Sequence, residues 1–291
     1  MKVLKGFGLG LVAFWLFIAL IILGPACNIN STALNPEFAK TEIEKLNISS
    51  TVQQILQETL PSEAAPYFPA INATINENRL WINSQMEYSI NKFYDYVLGK
   101  SGSLDLVIST EQIKQSLSEN LRQTYAQLPP SEQGLPFEEL QRQIIDEIPS
   151  VITLNQDNIP SDIWQTLQKI KDISGYIRIA YIGLIGFSLA MIALIILITR
   201  ARISATLFLG IIFLVSGGVS LSAAIVTQQL VPDFIPMIDL PSQIQVWVKQ
   251  LLIDLFSPWI IYGIVVLVIG ILLLVTSILF YSRRKQKSIT V

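Results

Sequence analysis

Four carboxylates, Glu138, Glu139, Asp146 and Glu147, form the densest acidic cluster of the chain, and paired carboxylates are what a hydrolase needs for general acid and base work. On a helix beside lysine-poor loops the same groups read more simply as solvating charge. Other chemistries are removed by inventory. With no histidine and one cysteine, Cys27, the chain cannot build a Ser-His-Asp or Cys-His arrangement, a Cys/His zinc site or an intramolecular disulfide. The expectation is a non-enzymatic protein with no cofactor and no metal. Hydroxyls recur in one apolar run, at Ser216, Ser220 and Ser222 around Gly217 and Gly218, where they could line a pathway or let helices pack closely. Asn30-Ser31-Thr32, Asn47-Ile48-Ser49 and Asn72-Ala73-Thr74 match the glycosylation acceptor pattern, which matters only in a eukaryotic secretory pathway.

The elements that must position these groups are set by hydropathy. Of 291 residues, 51% are hydrophobic and only 14% charged, against about 25% charged in a typical soluble domain. The surplus is concentrated in Gly6 to Gly24, Ser174 to Thr199, Ile203 to Val226 and Trp259 to Tyr281, each long enough to cross a hydrocarbon core of about 30 Å. Charge then orients them. Lys2 and Lys5 precede the first run, Arg200 and Arg202 lie between the second and third, and Arg283, Arg284, Lys285 and Lys287 follow the fourth, with no acidic residue among them. By the positive-inside rule these segments and both termini are cytoplasmic. The two other connections hold all the acid: residues 26–172 carry 19 Asp and Glu against 10 Lys and Arg, and residues 227–256 carry three against one. No Asp, Glu or Lys falls within a span, which argues against a coupled transporter. Arg178, just inside the second span, is expected to snorkel to the outer interface.

The fold expected is an all-α, multi-pass cell-membrane protein: four transmembrane helices and a mainly helical extracytoplasmic domain between the first and second. The organisation is 1–25, cytoplasmic tip and first span; 26–172, extracytoplasmic domain; 173–226, the hairpin of the second and third spans; 227–257, an extracytoplasmic loop with an amphipathic helix; 258–291, fourth span and basic tail. Lys2, Lys5 and the apolar run before Pro25-Ala26-Cys27 also fit a signal peptide, but Gly24 stands where a lipoprotein site needs Leu, and an uncleaved anchor is the reading preferred.

Within the domain, Asn35-Pro36-Glu37 predicts a helix start that continues, interrupted near residues 47–50, to Leu60. Pro61, Pro66 and Pro69 predict a loop. Ile75, Ile82, Met86, Ile90, Phe93 and Val97 mark one helix face that ends at Gly99. Leu104 to Ile108 reads as briefly extended, and Ser109 with Gln112 as a capping box for a helix carrying Ile113, Leu117, Leu121 and Tyr125. Phe137, Leu140, Ile144 and Ile148 mark a shorter helix ended by Pro149. From Asp162 to Thr199 there is no breaker, so one continuous helix is expected.

In the second connection, Ile244, Trp247, Val248, Leu251, Leu252 and Leu255 follow helical spacing opposite Gln243, Gln245, Lys249, Gln250 and Asp254. This predicts a helix lying in the outer interface with Trp247 at headgroup depth; the alternative is that its apolar face closes the underside of the large domain. Gly183 and Gly186 in the second span and Gly217 and Gly218 in the third are the expected helix-packing positions.

The order of one span, a large external domain and three further spans resembles mechanotransmission permeases and claudin-like proteins. The short cytoplasmic parts do not suit the first, and the lone Cys27 does not suit the second. The helix end Tyr96-Val97-Leu98-Gly99, the Leu104-Asp105-Leu106 stretch leading to Ile113-Lys114, and the Ile148-Pro149 and Ile159-Pro160 steps resemble a group of uncharacterised bacterial four-span integral membrane proteins. That resemblance implies a bacterial envelope setting. The function expected is an envelope scaffold, sensor or accessory subunit binding through its acidic domain; the alternative is a channel, lipid-handling or permease-like subunit using the four-helix bundle. Membrane lipids, another membrane protein or an extracytoplasmic ligand are the expected partners, and nucleic acid is not.

Overall fold

The computed structural model describes residues 2–46, 50–51, 53, 62–131, 133, 136–199, 202–230 and 242–287, with side chains described except at 2–5, 62–64, 202, 242–243 and 283–287. Arg200, Leu60, Asn47 and the prolines at 232, 236 and 241 therefore lie outside the described residues, and the basic ends are described in backbone only. The described chain is predominantly helical: α1 (Lys2–Ser31), α2 (Pro36–Lys45), a 3-10 turn (Ser62–Tyr67), α3 (Phe68–Glu77), α4 (Arg79–Val97), β1 (Leu106–Ser109), α5 (Glu111–Gln127), α6 (Phe137–Ile144), β2 (Val151–Leu154), α7 (Ser161–Thr199), α8 (Arg202–Leu230) and α9 (Ser242–Lys287). Helices α1, α7, α8 and α9 are long and apolar enough to cross a membrane. Backbone contacts divide the chain into two units, residues 1–35, 174–239 and 248–291 in one and residues 36–173 and 240–247 in the other.

The first unit contains the apolar helices. Val12, Leu16 and Leu20 of α1 recur every four residues and pack with Ile195 of α7 and Leu209 and Ile212 of α8 into one core. Its outward side chains, among them Phe14, Ile182, Leu197 and Leu272, are exposed, an apolar surface of the kind that marks a membrane or protein interface. α8 and α9 approach much more closely, through glycine. A methyl on Gly217 would lie 2.5 Å from the Leu267 backbone nitrogen, and one on Gly270 would lie 2.4 Å from that of Leu214; Gly210 meets Leu274 and Gly263 meets Leu221 in the same way. The glycines fall seven residues apart on each helix and the pairings run in opposite chain directions, so each glycine receives a leucine from an antiparallel neighbour.

The second unit is built by shorter helices around two small cores. Tyr67, Ala70, Leu117, Leu121, Leu140 and Ile145 form one, joining the 3-10 turn, α3, α5 and α6. Tyr96, Val97, Leu104 and Trp164 form the other, with the Tyr96 and Trp164 rings 5.3 Å apart and the Lys171 ammonium 4.3 Å from the centre of the Tyr96 ring. Burial raises the Tyr96 phenol above its ordinary pKa, with the Asp172 carboxylate adding to the effect.

Several local expectations change. The helix face read from Ile75 is broken at Asn78: α3 ends there with the Asn78 N–H on the Thr74 carbonyl, and α4 starts with the Ile82 N–H on the Asn78 carbonyl. Pro61 lies outside the described residues, but Pro66 lies in the 3-10 turn and Pro69 in the first turn of α3, where a missing N–H does no harm, so from Ser62 the predicted loop is helical. No capping box forms at Ser109. That residue closes β1, Thr110 stands at the helix end without a side-chain cap and gives its hydroxyl to the Pro149 carbonyl, and Gln112 donates to Asn78. β1 pairs antiparallel with β2, Leu106 opposite Leu154 and Ser109 opposite Val151, a small sheet whose second strand has no local sequence signal. At Gly99, φ is +71°, and the Gly99 and Lys100 N–H groups reach the Tyr96 and Asp95 carbonyls, the left-handed terminus expected. α7 is continuous over 39 residues, as its lack of proline predicts.

Candidate functional site

A groove of about 420 Å³ opens in the second unit between α2 and α4. Lys40, Ile43 and Glu44 of α2, one helix face, line it together with Arg79, Leu80, Asn83, Met86, Glu87 and Ile90 of α4. One end is closed by charge. The Lys40 ammonium lies 2.8 Å from Glu37 and 3.4 Å from Glu87, and the hydrogen bond to Glu37 first, then its charge and Glu87, hold the Lys40 pKa above its ordinary value against partial desolvation. At the other end the charges stay open: neither Glu44 nor Arg79 has an ion-pair partner among the described residues. Leu80 is 84% exposed beside Arg79.

Asn78 places that mouth. It is buried at the α3–α4 junction, with its amide donating to the Thr74 carbonyl at 2.9 Å and its carbonyl oxygen accepting from Gln112 at 3.1 Å. The α3 side is tied further to α5: the Asn120 amide reaches Thr74 Oγ1 at 3.2 Å and Glu77 at 2.9 Å, and Ser116 donates to Glu77 at 2.8 Å. Those donors, Asn120 before Ser116, hold the Glu77 carboxyl below the usual range.

The predicted site residues do not converge. Gly217 sits at the close approach to Leu267, whereas a methyl on Gly183, Gly186 or Gly218 would meet nothing within 4 Å. The tight contacts fall instead on Gly24, Gly210, Gly263 and Gly270, whose seven-residue spacing in the third and fourth spans was the legible signal. Arg178 is exposed on α7. Trp247 belongs to α9, a single helix of 46 residues with Pro258 inside it, so the amphipathic stretch and the fourth apolar run form one element. Its indole N–H donates to the Glu42 carbonyl at 2.7 Å, so protein occupies the hydrogen bond a headgroup was expected to accept. No known protein family, characterised protein or solved structure matches this chain.

The other candidates resolve into structure. Glu139 is held by Arg142 at 2.7 and 2.9 Å and Glu138, Asp146 and Glu147 are exposed on or just beyond α6, and among the described residues no three His, Cys, Asp or Glu side chains gather. Ser216 and Ser220 are buried, but Ser216 bonds its own helix at the Phe213 carbonyl and Ser220 accepts from the Trp259 indole at 2.9 Å, while Ser222 is exposed. Pro25 loosens α1 by lacking a donor for the carbonyl one turn back, and beside it the Tyr262 hydroxyl donates to the Leu20 carbonyl at 2.6 Å. Of the acceptor asparagines, Asn30 and Asn72 lie in helices, with the Asn72 carbonyl oxygen buried, and Asn47 is outside the described residues.

Proposed function

We propose that this chain is a multi-pass protein of a bacterial cell membrane, both termini cytoplasmic, that acts as a non-enzymatic scaffold, sensor or accessory subunit by binding through its acidic extracytoplasmic unit. The observation that carries this reading is the α2–α4 groove, where Glu44 and Arg79, without an ion-pair partner among the described residues, stand beside Ile43, Leu80, Met86 and Ile90 in a cavity of about 420 Å³. Charged groups converging beside apolar side chains in a concavity of this size are what a binding site needs. The channel or permease-like alternative draws on the serines of the third span, and the hydroxyls of Ser216 and Ser220 are already engaged within the bundle.

A photoreactive phenylalanine analogue at Leu80, compared with one at Glu138, tests the groove in living cells. Crosslinking to one defined product at Leu80 and none at Glu138 is expected; equal, unfocused crosslinking at both would remove the site. Orientation is tested in a Cys27→Ser background, where Ser131→Cys is expected to react with an impermeant thiol reagent from outside and Ser288→Cys only after permeabilisation.

A further inference from the structure

Resting on the binding role just proposed, we infer that the α2–α4 groove takes a zwitterionic phospholipid with an ammonium headgroup. The charges on its two walls are opposite and unspent: Glu44 on α2 and Arg79 on α4 lie farther than ion-pair distance from each other and have no other ion-pair partner among the described residues. A ligand of one sign satisfies one wall and meets like charge on the other. A ligand carrying both signs satisfies both, its phosphate forked by the Arg79 guanidinium and its ammonium on the Glu44 carboxylate. Ile43, Leu80, Met86 and Ile90 then offer apolar surface to the first carbons of an acyl chain, while the Lys40–Glu87 pair closes the far end. About 420 Å³ holds a headgroup and the start of its chains and is small for a docked helix. Four helices of this chain are long and apolar enough to cross a membrane, where such amphiphiles are at hand.

The test uses the full chain in nanodiscs containing a trace of phosphatidylethanolamine with a diazirine near the glycerol end of its acyl chain, at sub-saturating lipid, with labelled peptides mapped by mass spectrometry. Labelling of residues 79–90 is expected. Arg79→Gln and Glu44→Gln are each expected to lower it about tenfold, the loss of one charge-assisted hydrogen bond, without changing labelling of the spans. Diazirine phosphatidylglycerol, which lacks the ammonium, should label the segment about tenfold less. Equal labelling by the two lipids, or labelling confined to the spans, overturns the lipid assignment. If that happens while Leu80 still crosslinks a protein in cells, the groove is a protein-docking site and the broader reading survives; if Leu80 captures nothing either, both fall.

Discussion

The two units of this molecule hold helices together by opposite means. In the span unit α8 and α9 meet backbone to side chain, with Gly217 and Gly270 leaving no room for a methyl against Leu267 and Leu214. In the other unit the helices meet on small apolar cores, and their contacts are supplemented by side-chain hydrogen bonds from Asn120, Ser116 and Gln112. Solvent explains the difference. Apolar burial drives association in water but not in lipid, where close van der Waals approach replaces it. Glu44 and Arg79 of the second unit have no ion-pair partner among the described residues, whereas no Asp, Glu or Lys occurs within the four apolar runs.

The comparison predicts that shrinking a side chain damages one unit and enlarging one damages the other. Leu121 is 1% exposed at the centre of its core, so Leu121→Ala is expected to destabilise the second unit by about 3 kcal/mol, within the usual range for a buried leucine. Limited proteolysis of residues 62–160 during a thermal ramp, on the full chain in nanodiscs, reads that loss. Gly217→Val is expected to cost the bundle about 2 kcal/mol by overpacking against the Leu267 backbone, measured by unfolding in mixed dodecyl sulfate and maltoside. Gly218→Val is the control. A methyl there meets nothing within 4 Å, so equal loss in the two variants would break the assignment of Gly217 to the contact.

Which features were legible follows from their range. The four apolar helices are written in local hydropathy, and the Gly99 terminus and unbroken α7 in local stereochemistry. β2 was not legible because its partner lies across α5 and α6, and a four-residue Val-Ile-Thr-Leu run has no period long enough to read. The break at Asn78 was hidden for a similar reason: its buried amide is satisfied by Gln112, 34 residues away. As for the groove, the spacing of Lys40 with Glu44 and of Leu80, Asn83 and Glu87 was visible as two helix faces, but nothing local says that they oppose each other.

A third prediction concerns the polar joint beneath the groove. The Glu77 carboxyl titrates below its unfolded-state value of about 4.3, so its contribution is fully present above that value and is lost as pH falls through the folded pKa. Wild type and Glu77→Gln should therefore differ in stability at pH 7 and converge once the pH has fallen below the folded pKa of Glu77. Asn120→Ala removes the principal donor to Glu77 and one to Thr74, and is expected to cost about 1.5 kcal/mol at neutral pH with less of the acid-dependent loss. Thermal melts from pH 3 to pH 7 provide the curve. An unchanged acid limb in Asn120→Ala would show that the joint is held by packing alone.

The smallest effect is expected at Trp247, where the two solvents of the molecule compete for one ring. An indole at headgroup depth would keep its N–H for lipid, whereas this one donates to the Glu42 carbonyl within the second unit. Trp247→Phe preserves the aromatic surface and removes one hydrogen bond, so a loss of about 1 kcal/mol is expected in the same proteolytic assay. With Trp15, Trp81, Trp164 and Trp259 replaced, the emission of Trp247 should be shielded both from aqueous iodide and from lipids brominated at shallow acyl positions. Strong quenching by bromolipid would place the ring on the membrane and return the amphipathic stretch to an interfacial role. Strong quenching by iodide would remove the Glu42 contact itself, because a ring open to water has no reason to give its one donor to a main-chain carbonyl.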